Sequence, residues 1–360
     1  MTRVLSATIL ALALAAAAGA QAQPFVEVQA GESAVIISAP HGGYLTPDSL
    51  ADRSCAGCVT VRDSRTQEWA RALADELAMR TGVRPHVVIN LLARTKLDAN
   101  REIVEAADGD PWAEVAWQTY HDALEVASDV AVAEWGYGLV LDLHGHGHAN
   151  PRFELGYLLS ASALRESDAA LDARGAQTSM LALLARSSAA PSALIRGQES
   201  LGELLVREGV PATPSATDPA PAEGEAFFSG GYITRRHGSR DGGQVDAVQL
   251  EAHFPGARDS EASIARLATD VAEAVANFLD AWYEQSVGVR QELPRRSSCV
   301  ELRARMVRLL CEGPATVFDP LGRLLGRVGA GTSWHVPGHI APGVYFIRYG
   351  STIEPLVLGH

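Results

Sequence analysis

The strongest constraint on this chain is the regular exchange of short apolar runs and longer helix-period segments along residues 33–285. "SAVIISAP" is an apolar run that stops at a Pro-His-Gly-Gly turn, and it reads as a buried strand. "DSRTQEWARALADELAMRTG" repeats its apolar residues at helical spacing and stops at glycine. "RPHVVINLL" reads as a strand, "PWAEVAWQTYHDALEVASDVAVAEWG" as a helix and "YGLVLDL" as a strand. Strands separated by crossover helices run mainly parallel, because each helix returns the chain to the same end of the sheet. The expected fold class is α/β, a mainly parallel or mixed sheet with helices on both faces. In such folds ligands sit beyond the carboxyl ends of the strands. "PHGG" and "HGHGH" both fall at such ends, so they can meet in space although about 100 residues separate them.

Further along, residues 168–208 read as helical and 210–232 as a Pro/Ala/Gly-rich loop over the active face. "GGQVDAVQLEAHF" is another strand, and "DSEASIARLATDVAEAVANFLDAWYEQ" a long amphipathic helix that closes a first domain at 24–287. The pattern then changes to short strand-like runs between Gly/Pro turns, which predicts a small β-sandwich at 292–360.

Residues 1–22 read as a signal peptide: Arg3 gives the positive start, an alanine/leucine run the apolar segment, and Ala20-Gln21-Ala22 the cleavage site. A retained membrane anchor, the rival reading, needs a longer apolar run, and no later stretch is long enough for a membrane span. The expected localisation is therefore secreted, periplasmic or cell surface. Four cysteines fall in two local pairs, Cys55 with Cys58 and Cys299 with Cys311. In an exported protein they read as two disulfides closing short loops; in a cytosolic one "CAGC" would be a redox motif or half a zinc clip. The net charge of −13 excludes a general nucleic-acid binder, which needs a positive field.

The chemistry concentrates in "LVLDLHGHGHANP", which carries three of the chain's 11 histidines. A catalytic zinc site needs three protein ligands, usually His and carboxylate, and an open position. His41, ending the first strand, is one candidate. Asp63, opening the first helix, is the second, with Glu68 as substitute, although a helix-opening Asp also reads as an ordinary N-cap. His144 is the third, with Asp142 behind it as a supporting carboxylate and His146 and His148 further out on the loop. Glu251 ends a late strand and is either a general base in the same crevice or a plain surface carboxylate. Arginines gather in "ARTKLDANRE" and "GGYITRRHGSR", and their planar forks suit a substrate carboxylate; a solvated basic loop is the competing reading.

"SAPHGG", "DSRT", "ARTKLDANRE", "TYHDAL", "LDLHGH" and "GGYITRRHGSRDGGQVDAVQLE", in this order, resemble the N-formylglutamate amidohydrolase family over about residues 34–285. The resemblance implies a zinc exopeptidase-like fold similar to zinc carboxypeptidases. It makes His41, Asp63 and His144 the zinc ligands and Glu251 the base. It also implies that Asn100, Arg101 and Arg235 bind a substrate carboxylate, and that Arg94 polarises the scissile carbonyl or binds substrate. The implied substrate is a small anionic, glutamate-like linear amide. Export departs from that pattern, because deformylation of formylglutamate is a cytoplasmic task. A peptidase cutting acidic or γ-glutamyl peptides is therefore an alternative, as is a non-catalytic binding protein on the same fold. The C-terminal segment, through "TVFDPLGRLL" and "PGVYFIRYG", resembles type IX secretion sorting domains and implies secretion machinery as a partner; it lacks their lysine-rich ending, and an Ig-like accessory domain is the other reading.

Overall fold

The structure, a computed structural model, describes residues 25–283 and, beyond them, 300–303, 306–309, 313–318, 324–338, 340, 343–349 and 352–358. The expected signal segment and the Cys299–Cys311 pair lie outside the described residues. Seven strands form one sheet: β1 (Val26–Gln29), β2 (Val35–Ala39), β3 (His86–Asn90), β4 (Gly138–His146), β5 (Phe153–Gly156), β6 (Ala212–Thr213) and β7 (Val245–His253). Their order is β1-β3-β2-β4-β7-β5-β6. The central four run parallel, β1 is antiparallel to β3, and β5 is antiparallel to β7. The fold is α/β with a mixed sheet, as expected. The marginal strands β1, β5 and β6 are too short for sequence periodicity to mark.

The helices are α1 (Thr66–Thr81), α2 (Ile103–Ala107), α3 (Pro111–Trp135), α4 (Ala161–Leu164), α5 (Asp168–Asp172), α6 (Leu181–Ser187), α7 (Pro191–Arg196), α8 (Leu201–Arg207), α9 (Tyr232–His237) and α10 (Glu261–Tyr283). α3 starts where Asp110 accepts the N–H groups of Trp112 and Ala113 and Pro111 fills the first helical position. It stops at Gly136, whose φ of 78° only glycine adopts easily.

Strand alternation divides the core. Leu139, Leu141 and Leu143 of β4 and Val248 and Leu250 of β7 pack with α1 and α10 on one face. On the other, Ile36, Val88, Val140 and Ala247 meet Tyr120, Ala123, Leu124 and Ala127 of α3. Each large apolar side chain buried this way stabilises the fold by about 1.5–3 kcal/mol. On the α3 face the residues nearer the carboxyl ends turn polar: Ser38, then Asp142, His144 and His146 in β4, and Gln249 and Glu251 in β7. They are buried. Register aligns Asp142 with Gln249, His144 with Glu251 and His146 with His253, and β5 adds Glu154 beside Glu251. The period that buries apolar residues therefore also stacks polar ones in rows across the sheet.

The chain leaves β2 through α1 toward β3 on one side, and leaves β4 toward β5 and β7 on the other. Adjacent strands whose exits diverge open a crevice between them, and β2 and β4 are such a pair. Two expectations need correcting. β4 runs on to His146, so His146 is a buried strand residue and not part of a loop, because β7 pairs with it over its whole length. The 210–232 loop contains β6 and is tied down, with Arg152 donating to Asp218 (2.7 Å) and Asn150 to Glu225 (3.0 Å).

In the C-terminal part, β8 (Val300–Arg303), β9 (Met306–Leu309), β10 (Ala315–Phe318), β11 (Leu324–Val328), β12 (Ser333–His335), β13 (Gly343–Tyr349) and β14 (Thr352–Leu358) form two antiparallel sheets, β11-β10-β13-β14 and β12-β9-β8. One buried cluster joins Val307 and Leu309 of the second sheet to Val317, Ile347 and Leu356 of the first. Among the described residues, no helix is long and apolar enough to cross a membrane.

Candidate metal centre

Asp63 lies just ahead of α1 and does not cap it. The helix opens at Thr66 behind Arg65, which takes a left-handed φ of 67° and makes no side-chain cap. Such a conformation in a non-glycine residue costs about 1–3 kcal/mol, and it persists where the surroundings fix it. Thr66 donates to the Asp63 carbonyl through its hydroxyl (3.0 Å), and Asp63 N–H donates to the His41 carbonyl (3.2 Å). The Asp63 carboxylate is thereby turned to the β2 and β4 ends.

Asp63 Oδ2 stands 3.2 Å from His41 Nδ1 and 3.2 Å from His144 Nδ1. One ligand atom from each of the three residues fits within a 4.8 Å span, and all three residues are buried. The far nitrogens also face carboxylates. His41 Nε2–H donates to Asp98 Oδ1 (2.6 Å) and His144 Nε2–H to Asp142 Oδ2 (3.0 Å). A carboxylate only accepts, so each Nε2 carries a proton, and without an ion each Nδ1 facing Asp63 Oδ2 carries one as well. A bound cation would take the place of the two Nδ1 protons and leave the Nε2 protons where Asp98 and Asp142 accept them. Electrostatics agrees. Burial alone would push His144 down, yet Asp142, Asp63 and Glu251 raise it well above the usual imidazole range. Burial raises Asp63, but His41 and His144 hold it well below the usual carboxylate range. Two imidazoles and a carboxylate, each imidazole backed by an acceptor, are a donor set that suits zinc.

Asp98 organises the next layer. Besides His41 it accepts Asn100 N–H (3.0 Å) and Arg94 Nε (2.9 Å), and Arg94 Nη1 reaches Asp63 Oδ1 at 3.5 Å. Arg53 supports the same loop by donating to the Arg94 and Val59 carbonyls (2.9 and 3.0 Å), beside the disulfide-paired Cys55 and Cys58. Asn100 Nδ2 lies 3.4 Å from His144 Nε2, while its Oδ1 accepts Ile233 N–H at the start of α9 (2.8 Å).

Glu251 enters from β7, directly opposite His144 in register. Gln249 donates to its Oε1 (2.9 Å); its Oε2 is buried without a partner. Burial, together with Asp63, Glu154 and Asp142 and against the opposing His144, pushes the Glu251 carboxyl up to about 8. A divalent cation alongside would act in the opposite direction.

The structure therefore brings together His41, Asp63, His144, Glu251, Arg94 and Asn100. Arg101 turns outward, pairing with Glu105 (3.0 Å), and Arg235 is exposed on α9 near Asp241 (3.7 Å). Arg235 lines a surface hollow of about 350 Å³ with Glu102, Tyr232 and Arg236. Glu68, the substitute ligand, accepts a hydrogen bond from Tyr44 OH (2.6 Å) and lies outside the ligand group. Sequence reasoning gave no role to Asp98, although it sits inside "KLDANR". Only folding of that loop across β2 puts it behind His41.

A second group, His146, His148 and Glu154, is also close-set. Three of its four ring nitrogens are already engaged: His146 Nε2–H donates to the Arg152 carbonyl (2.7 Å), His146 Nδ1 accepts His148 N–H (3.1 Å), and His148 Nδ1–H donates to Glu154 (2.8 Å). This is a hydrogen-bonded brace, with Phe228 stacked on His148.

No family model matches the chain, and no curated protein matches it. Among solved structures, N-formylglutamate amidohydrolase from Ralstonia eutropha JMP134 aligns with 73% of this chain and 99% of its own, at 14% identity and a TM-score of 0.43. A gene product of Agrobacterium tumefaciens aligns with 73% of this chain and 97% of its own, at 15% identity and a TM-score of 0.42.

Proposed function

We propose that this chain is a secreted zinc-dependent amidohydrolase acting on a linear amide of a small anionic, glutamate-like substrate. The observation that carries the reading is the convergence of Asp63 Oδ2 with two Nδ1 atoms, each on a ring whose far nitrogen is held by a carboxylate, and with the unpartnered Oε2 of Glu251 in the adjoining strand. His41, Asp63 and His144 would hold the ion. Bound zinc polarises a carbonyl and lowers the pKa of water toward neutrality. Glu251 Oε2 is then the free lone pair that takes the proton of the attacking water, and it returns that proton to the leaving amine. Asp98 and Asp142 keep the two histidines in one tautomer throughout. Arg94 holds Asp98 through Nε and Asp63 through Nη1, and its Nη2 is the atom that would polarise the amide carbonyl.

For the substrate carboxylate, Asn100, Arg101 and Arg235 remain the assigned partners. The ion pair of Arg101 with Glu105 is partly exposed, and such pairs contribute at most about 1 kcal/mol, so a substrate carboxylate can compete for it. The second reading is a peptidase of acidic or γ-glutamyl peptides. In both readings residues 292–360 serve placement at the cell surface or engagement of secretion machinery, and the chemistry resides in 24–287.

The test is hydrolysis of N-formyl-L-glutamate, longer N-acyl-glutamates and γ-glutamyl dipeptides by the zinc-loaded chain beside Glu251→Gln. The variant should keep its metal and lose about 10²- to 10⁴-fold in kcat. Turnover of Glu251→Gln at the wild-type rate would remove the base assignment. Metal retention without turnover of any amide by the wild type would favour a binding protein.

A further inference from the structure

Arg258 is the most fully buried arginine among the described residues, only 2% exposed, and it lies in the turn after β7. Its guanidinium donates through Nη1 to the Ser64 carbonyl and through Nε to the Ala252 carbonyl (3.2 Å). Its flat face lies against Gly145, where a β-carbon would overlap the guanidinium. Ser64, Gly145 and Ala252 are the residues that follow Asp63, His144 and Glu251. One planar group thus touches the chain immediately after each of three site residues that come from three separate elements. A buried cation is expensive unless its surroundings compensate it, and here the nearby charges of Asp63 and Glu251 oppose the cost of burial.

We propose that Arg258 is a positioning residue that fixes the spacing of Asp63, His144 and Glu251 by clamping the three backbone segments next to them. This rests on the metal-centre reading given above and extends it to the element that sets the site's geometry. The planar fork is essential, because an ammonium is a point charge and cannot hold two carbonyls in one plane while lying flat on Gly145. The absence of a side chain at Gly145 belongs to the same device.

Titrating cobalt(II) into the full-length wild type, Arg258→Met, Arg258→Lys and Gly145→Ala tests this, with visible absorption reporting coordination geometry and a melting curve reporting the fold. The wild type should bind one ion per chain. Each variant should bind about 10- to 100-fold more weakly with a shifted band, and lysine should not restore the wild-type band. A folded Arg258→Met with wild-type affinity and band would overturn the proposal, even if its melting temperature fell, because that is the behaviour of a residue needed for folding alone. Full rescue by lysine would overturn it as well, since charge and not shape would then be enough. Loss of a cooperative melt in all three variants would place Arg258 with the folding core and contradict it. A wild type that binds no cobalt would remove the metal reading itself, which the other outcomes leave standing.

Discussion

At Asp98 and Asp142 a single accepted hydrogen bond decides what a histidine can do. Each carboxylate accepts a hydrogen bond from the Nε2–H of its partner, so Nδ1 is the nitrogen at which a cation would replace a proton. Removing Asp98 frees His41 to change tautomer and rotate, so Asp98→Ala should weaken zinc binding about 10- to 100-fold with the fold retained. Competition with a chromophoric chelator measures this; an unchanged affinity would mean that Asp98 only fills space. His41, Asp63 and His144 were legible in the sequence because they flank strand ends, where the fold class predicts a crevice. Asp98 and Arg258 were not legible. A hydrogen bond across 57 residues, or a guanidinium under a glycine, leaves no local periodicity to read.

Strand length is the element property that matters most for the site. β4 continues to His146 because β7 pairs with it throughout, which places Asp142, His144 and His146 on one face at a spacing of two. The sequence reading ended the strand earlier, since Gly145 and Gly147 resemble turn residues. α3 and α9 meet through another pair: His121 Nε2–H donates to the Ala99 carbonyl (3.0 Å), and His237 Nε2–H donates to His121 Nδ1 (2.9 Å). Burial, helped by repulsion from Arg236, pushes His237 down to about 3, and burial with His237 and Arg236 pushes His121 down to about 2. Unfolded histidines titrate near 6.5, so below that pH the unfolded chain takes up protons that these buried rings refuse. Their contribution is complete above pH 6.5 and shrinks as pH falls toward the folded values, by about 1.4 kcal/mol per unit per ring. Urea unfolding at pH 6.5 and 5 should therefore show wild type losing ground to His237→Leu by about that amount per pH unit. Parallel pH profiles would contradict the buried neutral pair.

For the molecule as a whole, the clusters that support the candidate metal centre draw on described residues no later than Tyr283, and the C-terminal sheets keep a buried cluster of their own. A chain ending at residue 287 should then fold, bind zinc and hydrolyse its substrate like the full-length protein. Loss of zinc on truncation would tie the C-terminal part to the site. The alternation of strands and helices made the α/β architecture legible, and the change in turn spacing marked the antiparallel C-terminal part. The antiparallel margin of the main sheet stayed hidden, because strands of two to four residues lack a period. The central claim is that one divalent ion is held by His41, Asp63 and His144. Elemental analysis of the protein purified without chelator, beside His144→Ala, tests it most directly. The account predicts about one zinc per wild-type chain and little in the variant. No zinc in either, even after zinc is added back, would contradict it.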